Sequence, residues 1–219
     1  MALAGTRRGE ERRVSEGHYP DRSTAAERAR WNERWEGLTG RELAASRWLQ
    51  ANAHYFPAGG RILDWASGDG RNGLWLAEQG FVVTLADISE VALATAAARA
   101  KARGVRVETR AIDLAEEEAP EGPWEGILCH HYFDPTIAER AVPRLAAGGR
   151  LLIHHPTRRN LERHPRPPAH FLYEEGELAR RLRGYEVLLL TEEWTAAGRH
   201  EVSAVVENRP SPGDPIPPQ

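Results

Sequence analysis

Apolar positions between residues 61 and 208 come in short runs that alternate with amphipathic stretches. "RILDW" (61–65), "FVVTLAD" (81–87), "VRVETRAID" (105–113), "GILCHH" (126–131) and "RLLIHH" (150–155) have strand character, being short and largely aliphatic or β-branched. The second run is almost wholly apolar, as expected of a parallel strand covered on both faces. Helical patterns lie between them: one near 71–79, an Ala-rich one capped by Ser89 and ending about Arg103, and one after Pro135, since proline is favoured in a first turn. Gly80, Gly104, Gly148 and Gly184 punctuate the passages from helix to strand, where a left-handed residue ends a helix. The repetition predicts β-α-β units and a parallel sheet. Then the rhythm breaks. "YEVLLLTEEWT" (185–195) and "RHEVSAVVEN" (199–208) are separated only by Ala196, Ala197 and Gly198. No parallel crossover is that short, so an antiparallel hairpin is predicted.

Upstream, Thr24-x-x-Glu27 fits a capping box and predicts a helix to about Trp35, with Trp31 and Trp35 on one face. A second helix is predicted from about Arg41 to Ala53, carrying Leu43, Trp48 and Leu49, before Pro57 and Gly59-Gly60 break the chain. The expected organisation is a disordered polar tail (1–22), a helical cap (23–56), a core domain (57–208) and a disordered Pro-rich tail (209–219). No internal repeat is visible.

Composition narrows the partners. The 219 residues are 41% hydrophobic and 28% charged, ordinary for a soluble domain with a sizeable core. A net charge of −3 provides no field for nucleic acid or anionic lipid. No apolar run approaches the roughly 20 residues of a membrane span, and the N-terminus lacks the apolar region of a signal peptide. Cys129 is the only cysteine, so no intrachain disulfide is possible, which suits the cytoplasm. Lys101 is the only lysine among the many arginines, a composition bias rather than a phosphate-binding signal.

The stretch "DWASGDGRNG" (64–73) admits two ligands. Gly68, Gly70 and Gly73 spell G-x-G-x-x-G, the dinucleotide fingerprint, and Asp87 stands about 20 residues on, where that fingerprint expects an acid. Yet Asp64, Asp87 and Asp113 end three successive predicted strands, and in an open α/β sheet those ends share one crevice. Three carboxylates are a poor home for pyrophosphate. They suit a ligand with an ammonium and a sulfonium: Asp87 can accept both ribose hydroxyls and Asp113 an adenine amino group. An NAD-dependent oxidoreductase is therefore the weaker reading.

These residues resemble a class I S-adenosylmethionine-dependent methyltransferase over about residues 30–208. "LDWASGDGRN" is closest to the D-x-A-C-G-x-G-R-N form of tellurite-resistance-type methyltransferases, and "RWNERW" resembles the W-N-x-R-Y element of their N-terminal helix. Ser67 replaces the usual cysteine and Asp69 a common glutamate. The resemblance implies an α/β Rossmann-like fold: a seven-stranded, mostly parallel sheet in the order 3-2-1-4-5-7-6, one strand antiparallel, helices on both faces. It implies S-adenosylmethionine as cofactor, held by Asp64, Ala66, Ser67, Gly68, Gly70, Asn72, Asp87, Ile88, Asp113, Leu114 and His130, with Arg34 at the cofactor carboxylate. Methyl transfer to a small-molecule acceptor follows, with neither nucleic acid nor membrane as partner; the oligomeric state stays open. "CHHYFDP" stands where an amino-methylating nucleic-acid enzyme would carry an N-P-P-Y-like element. A cofactor-binding protein without catalysis remains the alternative.

Methyl transfer needs a positioned nucleophile and, for a protic one, a base. His130, His131, His154 and His155 fall at the ends of the fourth and fifth strands. Successive strand residues face opposite ways, so one of each pair should reach the methyl group; His131 and His155 lie furthest along and are the expected catalytic pair, with Tyr132 shaping the pocket. The alternative for each is plain packing, and Trp65 and Trp75 are expected in the core. No metal site is expected, because His-x-x-x-His or paired-cysteine spacing is missing. The segment 156–170, "PTRRNLERHPRPPAH", is basic and long enough for a lid, and Arg158 and Arg159 are its expected contacts to an anionic or oxyanionic acceptor.

Overall fold

A computed structural model describes residues 24–38, 40–41 and 44–209. Leu43 and the two expected tails, apart from Arg209, lie outside the described residues. Seven strands form one sheet: β1 (Arg61–Trp65), β2 (Val82–Asp87), β3 (Val107–Ala111), β4 (Trp124–His130), β5 (Leu145–Pro156), β6 (Glu186–Trp194) and β7 (His200–Glu207), in the order β3-β2-β1-β4-β5-β7-β6. The first five pair in parallel; β7 runs antiparallel to both β5 and β6. The helices are α1 (Thr24–Glu36), α2 (Arg47–Asn52), α3 (Arg71–Glu78), α4 (Glu90–Arg103), α5 (Ile137–Ala141) and α6 (Glu177–Arg181).

The period of two along each strand divides the core. Leu63, Trp65, Ile127, Cys129, Leu151 and Ile153 pack on one face with Ile137 of α5 and Leu178 of α6. Ile62, Leu85, Leu128, Leu152 and Val205 pack on the other with Leu49 of α2, Leu76 of α3 and Leu93 of α4. Trp65 is fully buried and Trp75 half-buried. Ser89 caps α4 as expected, its hydroxyl accepting from the Ala92 N–H at 3.2 Å.

Three local expectations change. The second helix starts at Arg47 rather than Arg41 and ends in a 3₁₀ turn, Ala53–Tyr55. Ser46 stays extended (ψ 127°) because its N–H donates to Asn72 Oδ1 at 2.9 Å, tying this segment to α3. Gly148 does not end a helix: it is a left-handed residue inside β5, donating its N–H to the Asn208 carbonyl at 2.7 Å. The strand is longer than 150–155 for that reason. The segment 156–170 is folded into the body rather than looped out: Thr157 and Asn160 are buried, the Thr157 N–H donates to the His200 carbonyl, and the Arg158 N–H to Tyr173.

Candidate functional site

The loop after β1 is built on backbone geometry. Ala66, Gly68 and Gly70 all have positive φ (59°, 57° and 75°). At Gly70 a Cβ would come within 2.8 Å of the Ala96 side chain, and at Gly73 within 2.3 Å of Leu85, so α4 and β2 press directly on the loop and the start of α3. Asp87 fixes it from β2: Oδ2 accepts from the Gly68 N–H at 2.8 Å and Oδ1 from the Ser89 N–H at 2.9 Å. Burial raises the Asp87 carboxyl above the usual range, and these amides oppose the rise. Asp113 Oδ1 accepts from the Ala115 N–H at 3.0 Å. Ile88 borders this crevice half-buried, and Leu114 is buried.

Asp64 behaves differently. It is 2% exposed, and its Oδ2 finds no partner. Burial, reinforced by the charges of Asp87 and Asp69, pushes its carboxyl up to about 7 against the Gly73 backbone N–H and Arg71. The Ser67 hydroxyl is also buried without a partner. Two unsatisfied polar groups at one loop carry a desolvation cost of order 1–3 kcal/mol each until a ligand meets them.

Helix α1 covers this loop. A Cβ on Gly68 would come within 2.6 Å of the Trp35 ring, and Asn32 Oδ1 accepts from the Ser89 hydroxyl at 2.7 Å. Arg34 is exposed and lies over the Trp31 ring at 5.3 Å.

The second group lies at the ends of β4, β5 and β7. His130 and His154 are register partners and follow Leu128 and Leu152 by two residues, so they share the face that carries Asp64 and Asp87. Ser203 pairs with His154, and Glu201, two residues earlier in β7, joins the same face. His131 would fall on the opposite face, but β4 has ended and its φ is +59°, which turns the ring back. His131 then packs tilted against His130 (centroids 4.1 Å apart, planes at 34°), and potential ligand atoms of His130, His131 and His154 lie within 4.8 Å of one another. Among described residues Ala66 and His131 are the two non-glycine positions with left-handed backbone, one in each group. Strain of about 1–3 kcal/mol per residue is typical of functional sites.

Glu201 binds the group together: Oε1 lies 3.3 Å from His131 Nε2 and Oε2 3.2 Å from His154 Nε2. Burial would raise its carboxyl, but hydrogen bonds from both imidazoles hold it well below the usual range. Burial drives His130 well below the normal imidazole value and also lowers His131, in the latter against the pull of Glu201. His131 is thus a neutral imidazole donating to an ionised carboxylate. Asp64 is the register partner of Leu128, two residues before His130 on the neighbouring strand, so the two groups stand side by side.

The expected pair His131 and His155 meets edge-on, with ring centroids 6.3 Å apart, whereas His154 stacks beside His131 at 5.5 Å. His155 continues the opposite face after Ile153; its ring packs edge-on against Tyr173 at 5.6 Å, and its Nε2 donates to the Phe171 carbonyl at 2.8 Å. Burial lowers its imidazole to about 4. His154 takes the place beside His131. Tyr132 packs on the His155 side, its phenol raised by burial and by Asp134. Arg158 pairs with Glu174 at 2.5 Å and Arg159 with Glu162 at 3.1 Å. Glu201, Ser203 and Trp48, which stacks on His154 at 4.6 Å, were not anticipated; the signal lay in β7, whose alternation puts Glu201 and Ser203 on one face.

Residues 62–149 match a family model described as a methyltransferase domain. The matched stretch supports a class I S-adenosylmethionine-dependent methyltransferase. The cofactor of such a methyltransferase is S-adenosylmethionine, and the loop fits it: orphaned Asp64 and Ser67 oxygens, and glycines with no room for a Cβ. Solved structures share the fold. TehB from Haemophilus influenzae is 19% identical, with 82% of this chain and 67% of that one covered and a TM-score of 0.65. A TehB-like S-adenosylmethionine-dependent methyltransferase from Corynebacterium glutamicum is also 19% identical, covering 83% and 98% with a TM-score of 0.56. Magnesium protoporphyrin IX methyltransferase from Synechocystis, solved with bound SAH, is 16% identical, covering 85% and 99% with a TM-score of 0.61. A search of curated proteins gave no match. Among the described residues, no helix is long and apolar enough to cross a membrane.

Proposed function

We propose that this methyltransferase acts by in-line transfer on a small-molecule, anionic or oxyanionic acceptor seated against the imidazole group at the ends of β4 and β5. Bound S-adenosylmethionine supplies a methyl carbon already activated by its sulfonium. Asp64, Ala66, Ser67, Gly68, Gly70 and Asn72 hold the amino-acid end of the cofactor, Asp87 and Ile88 the ribose, and Asp113 and Leu114 the adenine. His130 borders the methyl group, and Arg34, released from Trp31, meets the cofactor carboxylate. The cap formed by residues 23–56 excludes water from the loop. His131 takes the proton of a protic acceptor: it is neutral, held by Glu201 and the most exposed of the four strand-end histidines, its side chain 34% accessible. His155 and Tyr132 shape the wall behind it, His155 by holding the Phe171 carbonyl. Arg158 and Arg159 exchange their acidic partners for the acceptor's charge. A cytoplasmic setting suits the single buried thiol, Cys129.

The observation that carries the reading is the juxtaposition of an orphaned cofactor loop with a carboxylate-held imidazole group on one sheet face. Calorimetry with S-adenosylhomocysteine tests the first half. Labelled S-adenosylmethionine offered with tellurite, selenite, thiols, carboxylates and phenols, read by product mass, tests the second. A folded protein that ignores S-adenosylhomocysteine at millimolar concentration ends the proposal; firm binding with no product from any acceptor leaves a cofactor-binding protein without catalysis.

A further inference from the structure

We propose that His130, His131 and His154, together with Glu201, form a binding site for a divalent transition-metal ion of the zinc class. The three imidazoles come from two adjacent strand ends, and their potential ligand atoms lie within 4.8 Å of one another. Glu201 reaches between two of them, 3.3 Å from His131 Nε2 and 3.2 Å from His154 Nε2. Three nitrogens and a carboxylate oxygen are the donor set that zinc and its neighbours accept.

Hydrogen bonding alone does not satisfy this group. Glu201 accepts from His131 and His154, which leaves His130 Nε2 buried and without a partner beside them. A buried lone pair facing other imidazoles is costly. A cation at the centre answers all four donors at once, with each imidazole keeping its single proton on the other nitrogen. For His154 that nitrogen is already supported: Nδ1 lies 2.8 Å from the Ser203 hydroxyl. An outer hydrogen bond of this kind orients a metal-bound histidine. Trp48, stacked on His154 at an interplanar angle of 11°, walls the group from water on that side, while half-exposed His131 leaves it open on another. Linear spacing hides the site, because adjacent histidines converge only through the left-handed turn at His131.

Ion binding stands independently of methyl transfer. Its role, to hold the acceptor's anionic atom, rests on the proposed function: with the ion bound, a coordinated thiol or hydroxyl loses its proton to solvent and His131 is a ligand, and with the site empty His131 is the base.

The test uses the full, untagged chain, stripped with chelator and dialysed against zinc. One zinc per chain is expected, and cobalt in its place should give visible ligand-field bands of a nitrogen-and-oxygen site. His154→Ala and Glu201→Gln should abolish retention, Ser203→Ala should weaken it by about 10–100-fold, and His155→Ala should leave the stoichiometry at one. Circular dichroism and S-adenosylhomocysteine calorimetry on the same samples report the fold and the cofactor loop separately. Folded wild-type protein that retains no zinc overturns the proposal. So does zinc that survives Glu201→Gln and His154→Ala together.

Discussion

In the loop after β1 the carboxylates rest on backbone amides; at the ends of β4 and β5 the imidazoles rest on one another and on a single carboxylate. Asp87 accepts from Gly68 and Ser89, and Asp113 from Ala115, so the cofactor half of the crevice is held by the chain's own path. The imidazoles of the acceptor half are held by other side chains, through Glu201 to His131 and His154 and through Ser203 to His154, beside one backbone bond from the His131 N–H to the His154 carbonyl. A backbone-built site tolerates side-chain change around it. A side-chain-built site fails as a unit when one member is removed, as buried polar networks do.

The largest expected effect follows from that contrast. His131→Ala should lower kcat by about 10²–10⁴ for a protic acceptor, with S-adenosylhomocysteine affinity nearly unchanged by calorimetry. Equal losses in turnover and cofactor affinity would break the division into two halves. His155→Ala should instead be read in stability: it loses the bond to the Phe171 carbonyl and its packing on Tyr173, and turnover should fall less than in His131→Ala. On the other side, Asp87→Ala should weaken cofactor binding by about 1.5–3 kcal/mol, the range for charge-assisted hydrogen bonds. An unchanged dissociation constant would remove Asp87 from the ribose.

The same contrast explains what was legible in the sequence. Gly68, Gly70, Asp87 and Ser89 declare themselves through local spacing, because their contacts span few residues: Ser89 to Asp87 is two positions, Gly68 to Asp87 nineteen. Strand order and the hairpin followed from connector lengths and glycine positions. Glu201 meets His131 across seventy positions and Ser203 meets His154 across forty-nine. No local pattern encodes those pairings; they need the register of β7 on β5. His131 also defeats the strand rule, since a left-handed residue reverses the face that alternation assigns. The late start of the second helix was hidden for a related reason: Ser46 is claimed by Asn72 from α3, twenty-six positions away.

A smaller effect probes the cofactor half through pH. The Asp64 carboxyl is raised to about 7 by burial, with Asp87 and Asp69 adding to the rise and the Gly73 amide and Arg71 opposing it. The folded value lies above the unfolded one, so the free protein favours the protonated form: stability is fully present below the unfolded value near 3.8 and is lost as pH rises toward 7. A bound ammonium reverses the preference, and binding then releases a proton. Affinity for S-adenosylhomocysteine should therefore fall by up to about tenfold per pH unit below 7, or about 1.4 kcal/mol. Asp64→Asn should flatten this dependence. A wild-type dissociation constant that is level from pH 7 to pH 5 would mean that Asp64 keeps its proton with the cofactor bound.

The smallest effect is expected at the arginines beyond β5. Arg158 and Glu174 are both about half exposed, 48% and 51%, and Arg159 and Glu162 similarly so, 41% and 56%. Exposed pairs of this kind contribute about 0–1 kcal/mol, so replacing both arginines with alanine should barely move the melting temperature. The backbone of the segment does not depend on them: Thr157 and Asn160 are buried, and His164 Nε2 lies 2.9 Å from the Gly198 carbonyl. What can move here is two side chains on a fixed frame. If they exchange Glu174 and Glu162 for an anionic acceptor, the double variant should raise acceptor KM several-fold, more at low salt than at high, as screened surface charge requires. Cofactor affinity should not change. A KM unaffected at low salt would leave both arginines as solvated partners of their own glutamates and confine acceptor recognition to the imidazole group.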